Sequence, residues 1–187
     1  MNQKAVFFDR DGTLIREAHY LSKLEDIQLL PGAAECLRDL RAAGYFTALV
    51  TNQSGVARGY FPESFVQEAF EYLQELLKAE GAQLDAMAYC PHHLKGTLAP
   101  YNRDCDCRKP KPGMIQLLTQ THGLALEGSW VFGDRDCDVE LAVNAGVNPA
   151  LVLTGYGQGE QAKVLAQFPQ TAVVEDLLAA RDLVLGG

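Results

Sequence analysis

No apolar run in this sequence approaches the roughly 18 residues that a membrane-spanning helix requires. The apolar stretch near the N-terminus, residues 5–8, is too short for the core of a secretory signal. Positive charge is scarce as well. Sixteen Lys and Arg stand against 24 Asp and Glu, for a formal net charge of −8 over 187 residues. That balance argues against a general nucleic-acid or anionic-membrane surface and leaves room only for a local cationic patch. The paired cysteines of a secreted scaffold are also missing. The five are an odd number, with Cys90, Cys105 and Cys107 close together and Cys36 and Cys137 apart. The chain is therefore expected in the cytoplasm, where thiols stay reduced and a cysteine cluster reads as a metal site. It is expected to act as a monomer, with neither nucleic acid nor membrane as partner.

What is present fits a globular fold: 48% of residues are hydrophobic and 21% charged. The length suits a single domain, 1–187, large enough to build a core without disulfides. Short apolar runs at 4–8, 46–51, 86–89, 130–132, 150–153 and 172–174 read as buried strands. Between them lie helical patterns. One runs from Pro31 to Gly44 and a second from Pro62 to Gly81, with Phe65, Ala69, Leu73, Leu76 and Leu77 on one face. Others cover about 113–122, 136–144, 158–167 and 176–185. This alternation predicts an α/β fold: a doubly wound, mostly parallel, Rossmann-like sheet with helices on both faces. No segment between Thr13 and Thr51 is long enough for a large cap domain. In such sheets ligands bind beyond the carboxyl ends of the strands.

Four polar stretches fall at that edge. The first strand runs into Asp9-Arg10-Asp11-Gly12-Thr13. Residues two apart on an extended chain point the same way, so Asp9 and Asp11 can face one point. Two carboxylates held together repel, and a hard, oxygen-bound cation such as Mg²⁺ relieves the repulsion. The second strand ends in Thr51-Asn52-Gln53-Ser54-Gly55, whose hydroxyl, amide and backbone N–H groups suit phosphoryl oxygens. The fourth ends in Gly133-Asp134-Arg135-Asp136-Cys137-Asp138, and Arg108-Lys109-Pro110 supplies cations. Each stretch alone has an ordinary explanation as a polar turn, an acidic helix start or a solvated basic loop. All four together point to a site.

One stretch breaks the alternation. From about 90 to 107 there is no apolar periodicity, and a loop of this length inside a compact domain needs a tie. Cys90-x-His92 and Cys105-x-Cys107 offer three thiolates and an imidazole, which suits tetrahedral Zn²⁺ in a closed structural site. His93 is the rival to His92 as ligand. Cys36 shares a helix face with Leu37 and Leu40 and reads as core, whereas Cys137 has no assigned role.

The ordered set Asp9-x-Asp11-Gly-Thr, Thr51-Asn52, Lys109 and Gly133-Asp134-x-x-x-Asp138 resembles the motifs of haloacid dehalogenase-like phosphatases, over about residues 4–155. The resemblance implies Mg²⁺-dependent phosphomonoester hydrolysis. Asp9 would be the nucleophile, and Asp11 the general acid and then base. Mg²⁺ would sit on Asp9, Asp134 and the backbone carbonyl of Asp11. Thr51 and Lys109 would contact the transferring phosphoryl group, and Asp138 would hold a metal-bound water or orient a neighbour. The longer strings Thr51–Gly59 and Cys105–Met114 resemble a branch acting on small-molecule sugar bisphosphates. That branch implies substrate contacts from Glu17, His19, Tyr20, Asn52, Gln53, Ser54, Arg108 and Arg135, favours His92 in the zinc set, and leaves Arg108 for a second phosphate. The chain departs from it at Glu17-Ala18-His19-Tyr20, where an Asp-His-Gly-Tyr-like string is frequent, and at Arg135, where lysine is frequent. Rival readings are a histidinol-phosphate or nucleic-acid 3′-phosphatase of the same superfamily, and a non-catalytic zinc module.

Overall fold

The computed structural model describes residues 2–186. Six strands form one fully parallel sheet: β1 (Gln3–Phe8), β2 (Phe46–Asn52), β3 (Ala86–Cys90), β4 (Leu124–Gly133), β5 (Asn148–Val152) and β6 (Ala172–Val174). Their spatial order is β3-β2-β1-β4-β5-β6. The chain winds outward from β1 to β3, then returns to the other side of β1 and winds outward again. The switch point therefore lies between β1 and β4, where a doubly wound sheet opens its crevice.

Burial on both faces follows from strand alternation. Val6 and Phe8 of β1 enter one core layer, covered by α1 (Ala33–Ala42), α3 (Glu63–Ala79) and α7 (Leu177–Leu185). Ala5 and Phe7 enter the other, under α4 (Gly113–His122) and α5 (Asp136–Ala145), and α6 (Gly157–Gln167) extends that layer through Val164. Cys36 and Leu37 are fully buried in the first layer, as expected. Residues 13–32 carry a short 3₁₀ turn at Leu24–Asp26 and isolated bridges at Ile15 and Leu29, and no longer element. Their Leu14, Ile15, Leu21 and Ile27 are buried in the main core rather than in a separate cap.

Three local features differ from the sequence reading. β4 is ten residues long, because Leu124–Ser129 joins the expected 130–132 strand. Gly128 and Ser129 interrupt its apolar pattern, and the pairing with β1 shifts register there; the Ser129 hydroxyl takes over, accepting from Ala5 N–H at 2.7 Å. A one-turn helix, α2 (Gly55–Arg58), follows β2 and is too short for periodicity to reveal. The buried stripe of α3 is Val66, Ala69, Phe70, Leu73 and Leu77, so Phe65 and Leu76 lie at its margin.

Candidate active site

β1 delivers Asp9 to the switch point, where its N–H makes the last ladder bond to Phe132 O at 2.9 Å. Asp9 Oδ1 lies 2.7 Å from Lys109 Nζ. The same ammonium is 2.6 Å from Asp138 Oδ1 and donates to the Val50 carbonyl at 3.0 Å. Burial disfavours the Lys109 charge, but Asp138 and Asp9 outweigh it and hold the ammonium above its ordinary pKa. Asp138 Oδ2 in turn accepts from Arg135 N–H at 3.2 Å, capping α5. Burial pushes the Asp138 carboxyl up, against the pull of Lys109.

Asp134, at the end of β4, is fully buried. One oxygen, Oδ2, accepts from Tyr156 N–H at 2.8 Å; the other, Oδ1, has no partner. Burial first, and Asp9 second, push this carboxyl up to about 8. Gly12 and Gly155 pack against it with φ of 78° and 53°, and a Cβ on either would collide with Asp134 Oδ2. Carboxylate oxygens of Asp9, Asp134 and Asp138 lie within 4.8 Å of one another. Three clustered carboxylates, one of them with an orphaned buried oxygen, form an oxygen-only donor set that fits Mg²⁺, with the Lys109 ammonium beside it.

Asp11 faces the same space from the other side. The Arg10 guanidinium forks onto it, Nε to Oδ2 at 3.0 Å and Nη2 to Oδ1 at 3.1 Å. Gln53 bonds to Arg10, to Asp11 and to Thr51 Oγ1. Asn52 brackets the Lys109 backbone, accepting from its N–H at 3.0 Å and donating to its carbonyl at 3.2 Å.

A cleft of about 280 Å³ opens above these groups. Its walls include Asp9, Asp11, Glu17, His19, Tyr20, Thr51, Asn52, Gln53, Ser54, Arg108, Lys109 and Arg135, all of them singled out from the sequence. Asp134 lies beneath the floor. The sequence reading missed Arg10, Phe61, Cys137 and Tyr156, which also line the cleft. Tyr156 has a signal in hindsight: it follows the carboxyl end of β5, at the same edge as the motifs. Arg135 stacks on its ring at 4.2 Å, and its hydroxyl lies 2.8 Å from His19 Nδ1. Burial, then Asp138, hold the Cys137 thiol above its ordinary pKa, so it is a poor nucleophile.

The second cluster joins β3 to the loop before α4. Cys90 Sγ lies 3.5 Å from Cys105 Sγ and 3.8 Å from His92 Nδ1; Cys107 Sγ lies 3.4 Å from both Cys105 Sγ and His92 Nδ1. A tetrahedron built on Zn–S bonds of about 2.3 Å has edges near 3.7 Å, so the donor set fits zinc. Hydrogen bonding from Cys90, outweighing burial, pulls the Cys107 thiol down to about 5. His93 is not in the set; its ring nitrogens face Lys95 N–H and Arg58. The loop reaches the cleft through Arg108, whose Nη1 donates to the His92 carbonyl at 3.2 Å.

A carboxylate just past the end of β1, a buried acid just past β4 and a lysine spanning two carboxylates at the switch point fit a hydrolase of the HAD-like class. Residues 106–180 match a family model described as HAD-hydrolase-like, and residues 4–135 match one described as polynucleotide kinase 3 phosphatase. Among curated proteins, the D-glycero-D-manno-heptose-1,7-bisphosphate 7-phosphatase of Thermosynechococcus vestitus is 42% identical, over 96% of this chain and 94% of its own. The D-glycero-beta-D-manno-heptose-1,7-bisphosphate 7-phosphatase of Pasteurella multocida is 38% identical, over 92% and 94%. The crystal structure of D,D-heptose 1,7-bisphosphate phosphatase from B. bronchiseptica, complexed with magnesium and phosphate, superposes with a TM-score of 0.85 at 32% identity and covers 98% of this chain and 99% of that one. The chain belongs to the heptose-1,7-bisphosphate 7-phosphatase family of HAD-like phosphatases.

Proposed function

We propose that this phosphatase removes the 7-phosphate from D-glycero-D-manno-heptose 1,7-bisphosphate through a phosphorylated Asp9. The observation that carries the chemistry is the arrangement at the switch point: Asp9 against Lys109, a partnerless Asp134 oxygen beneath, and Asp11 across the cleft. The whole-chain similarity to enzymes named for that sugar carries the substrate.

A phosphomonoester dianion repels nucleophiles, so the site must neutralise charge and hold an in-line geometry. Asp9 attacks phosphorus and Asp11 gives its proton to the departing C7 oxygen. Asp11 then takes a proton from the water that releases phosphate. Lys109 and Thr51 hold the phosphoryl oxygens where charge develops. Asp9, Asp134 and the Asp11 backbone carbonyl would hold Mg²⁺, which when bound neutralises phosphoryl charge and separates the carboxylates. Asp138 aims Lys109 and caps α5.

Arg108 takes the second, non-reacting phosphate, and Arg135 with Glu17, His19, Tyr20 and Asn52–Ser54 surrounds the sugar. Cys90, His92, Cys105 and Cys107 would hold a structural Zn²⁺ that fixes the backbone leading into Arg108 and Lys109. No helix among the described residues is long and apolar enough to cross a membrane. The net charge is −8, and a thiolate set needs a reducing compartment. The charge and the thiolate set support a cytoplasmic enzyme acting on a small sugar bisphosphate and not on nucleic acid.

The test compares three substrates. kcat/KM for the 1,7-bisphosphate should exceed that for heptose 7-phosphate about a hundredfold, from charge-assisted bonds of about 1.5–3 kcal/mol each to the anomeric phosphate. Equal efficiency on both, or a preference for histidinol phosphate, would refute the substrate assignment.

A further inference from the structure

Arg10 stands between the two motif carboxylates, and no step above uses it. It is only 3% exposed. An arginine is rarely buried without partners, and here the partners are the general acid and its neighbour. Nε and Nη2 fork onto both Asp11 oxygens, and Nη2 also donates to Gln53 Oε1 at 3.1 Å. Gln53 turns its amide N–H onto Asp11 Oδ2 at 3.3 Å and Thr51 Oγ1 at 2.9 Å. Arg10, Asp11 and Gln53 thus close a ring tied to Thr51. The Arg10 backbone is fixed as well, its carbonyl accepting from Leu14 and Ile15 N–H at 3.0 Å each. The Asp11 side chain, by contrast, is 22% exposed to the cleft. A short carboxylate in a wet cleft has several rotamers open to it, and a planar two-point fork leaves one.

We propose that Arg10 is a positioning residue that holds Asp11 in line with the leaving oxygen and so sets the rate on substrates whose leaving group needs a proton. This rests on the reading of Asp11 as general acid. When Asp9 bonds to phosphorus, the ester P–O bond breaks toward the alcohol oxygen and the Asp11 proton moves to that oxygen. The carboxylate left behind is the form the guanidinium fork fits, and it stays aimed at the water that follows. Displacing a proton donor by about 1 Å costs on the order of a hundredfold in rate. The loss should fall on alkyl esters, whose alkoxide cannot leave unprotonated. It should spare aryl esters such as p-nitrophenyl phosphate, whose anion leaves on its own.

The test measures first-turnover release of the alcohol, which precedes the water step, in Arg10→Met, Arg10→Lys and Asp11→Asn with Mg²⁺ present. For Arg10→Met we expect release from the heptose bisphosphate to fall about a hundredfold with KM within about threefold, and p-nitrophenol release to fall less than about fivefold. Arg10→Lys keeps the buried charge without the fork; it should show the same selectivity at smaller size, and it carries the test if Arg10→Met does not fold. Equal loss on both esters, or none on the bisphosphate, would overturn the positioning role. Asp11→Asn separates the two readings. Selective loss there without selective loss in the Arg10 variants refutes the role of Arg10 alone, whereas no selective loss in Asp11→Asn refutes the general-acid reading and the proposal with it.

Discussion

Replacing Asp134 by Asn should stabilise the metal-free protein at alkaline pH and destroy its response to Mg²⁺. The wild-type carboxyl is fully buried beside Asp9 and is pushed from 3.8 up to about 8. A carboxyl whose pKa is raised on folding favours the native state while protonated. That contribution is complete below about pH 4 and is lost as pH climbs through 8. A shift of about four units sets a ceiling of about 6 kcal/mol. A third of it, about 2 kcal/mol, already moves the melting midpoint of a domain this size by roughly 4–8 °C. Asn keeps an oxygen for Tyr156 N–H and turns its amide toward the Asp9 carboxylate, so it removes the charge without opening a hole. The assay is thermal melting in a chelator from pH 4 to 8.5, for wild type and variant together. The variant should match wild type near pH 4 and melt several degrees above it near pH 8, and added Mg²⁺ should reverse the order. A difference between the two that is flat across the pH window, or a variant that Mg²⁺ stabilises as strongly as wild type, would show that Asp134 is not a strained buried acid relieved by the metal.

Asp9→Asn should lose turnover by more than about a thousandfold while remaining folded, because the amide cannot act as the anionic nucleophile. Acid-quenched wild type should carry phosphoryl label on the peptide containing Asp9, and the variant none. Cys107→Ser should lose close to one zinc per chain by elemental analysis, expose the 91–107 loop to protease and lower kcat/KM about tenfold or more through Arg108 and Lys109, with the sheet still folded. Unchanged activity with a protease-resistant loop would show that the zinc set does not position those cations. Tyr156→Ala should raise KM for the bisphosphate several-fold with less effect on kcat, because Arg135 and His19 lose a common support worth about 1 kcal/mol or more. Tyr156→Phe should restore the Arg135 part of that loss.

The sheet was legible because its central strands are buried on both faces and read as apolar runs, as at Ala5–Phe8 in β1, while the half-buried edge strand Ala172–Val174 is still wholly apolar. Where a strand contains its own interruption, as at Gly128-Ser129 in β4, the pattern stops short of the element. The polar residues of the cleft were legible for a related reason. A doubly wound sheet brings the ends of β1, β2 and β4 together, so motifs far apart in the sequence fall at one edge. Less legible were residues whose part depends on packing. Arg10 reads as filler between two acids until its side chain turns inward. Tyr156 follows a strand end inside Gly155-Tyr156-Gly157, a string that reads as a turn and carries no acid to mark a site. His92 and His93 offer the same imidazole, and only spacing and resemblance favour His92; the loop path places its Nδ1 3.4 Å from Cys107 and turns the other imidazole to Arg58.

In the proposed reaction Asp9 takes the 7-phosphate of the heptose bisphosphate and leaves the anomeric phosphate in place. Phosphorus NMR of the reaction with Mg²⁺ tests it most directly. The primary-ester resonance should disappear as inorganic phosphate grows in equal amount, while the anomeric phosphate resonance should persist unchanged in intensity. Loss of the anomeric resonance first, or no phosphate release from this sugar at enzyme concentrations that hydrolyse p-nitrophenyl phosphate, would contradict it.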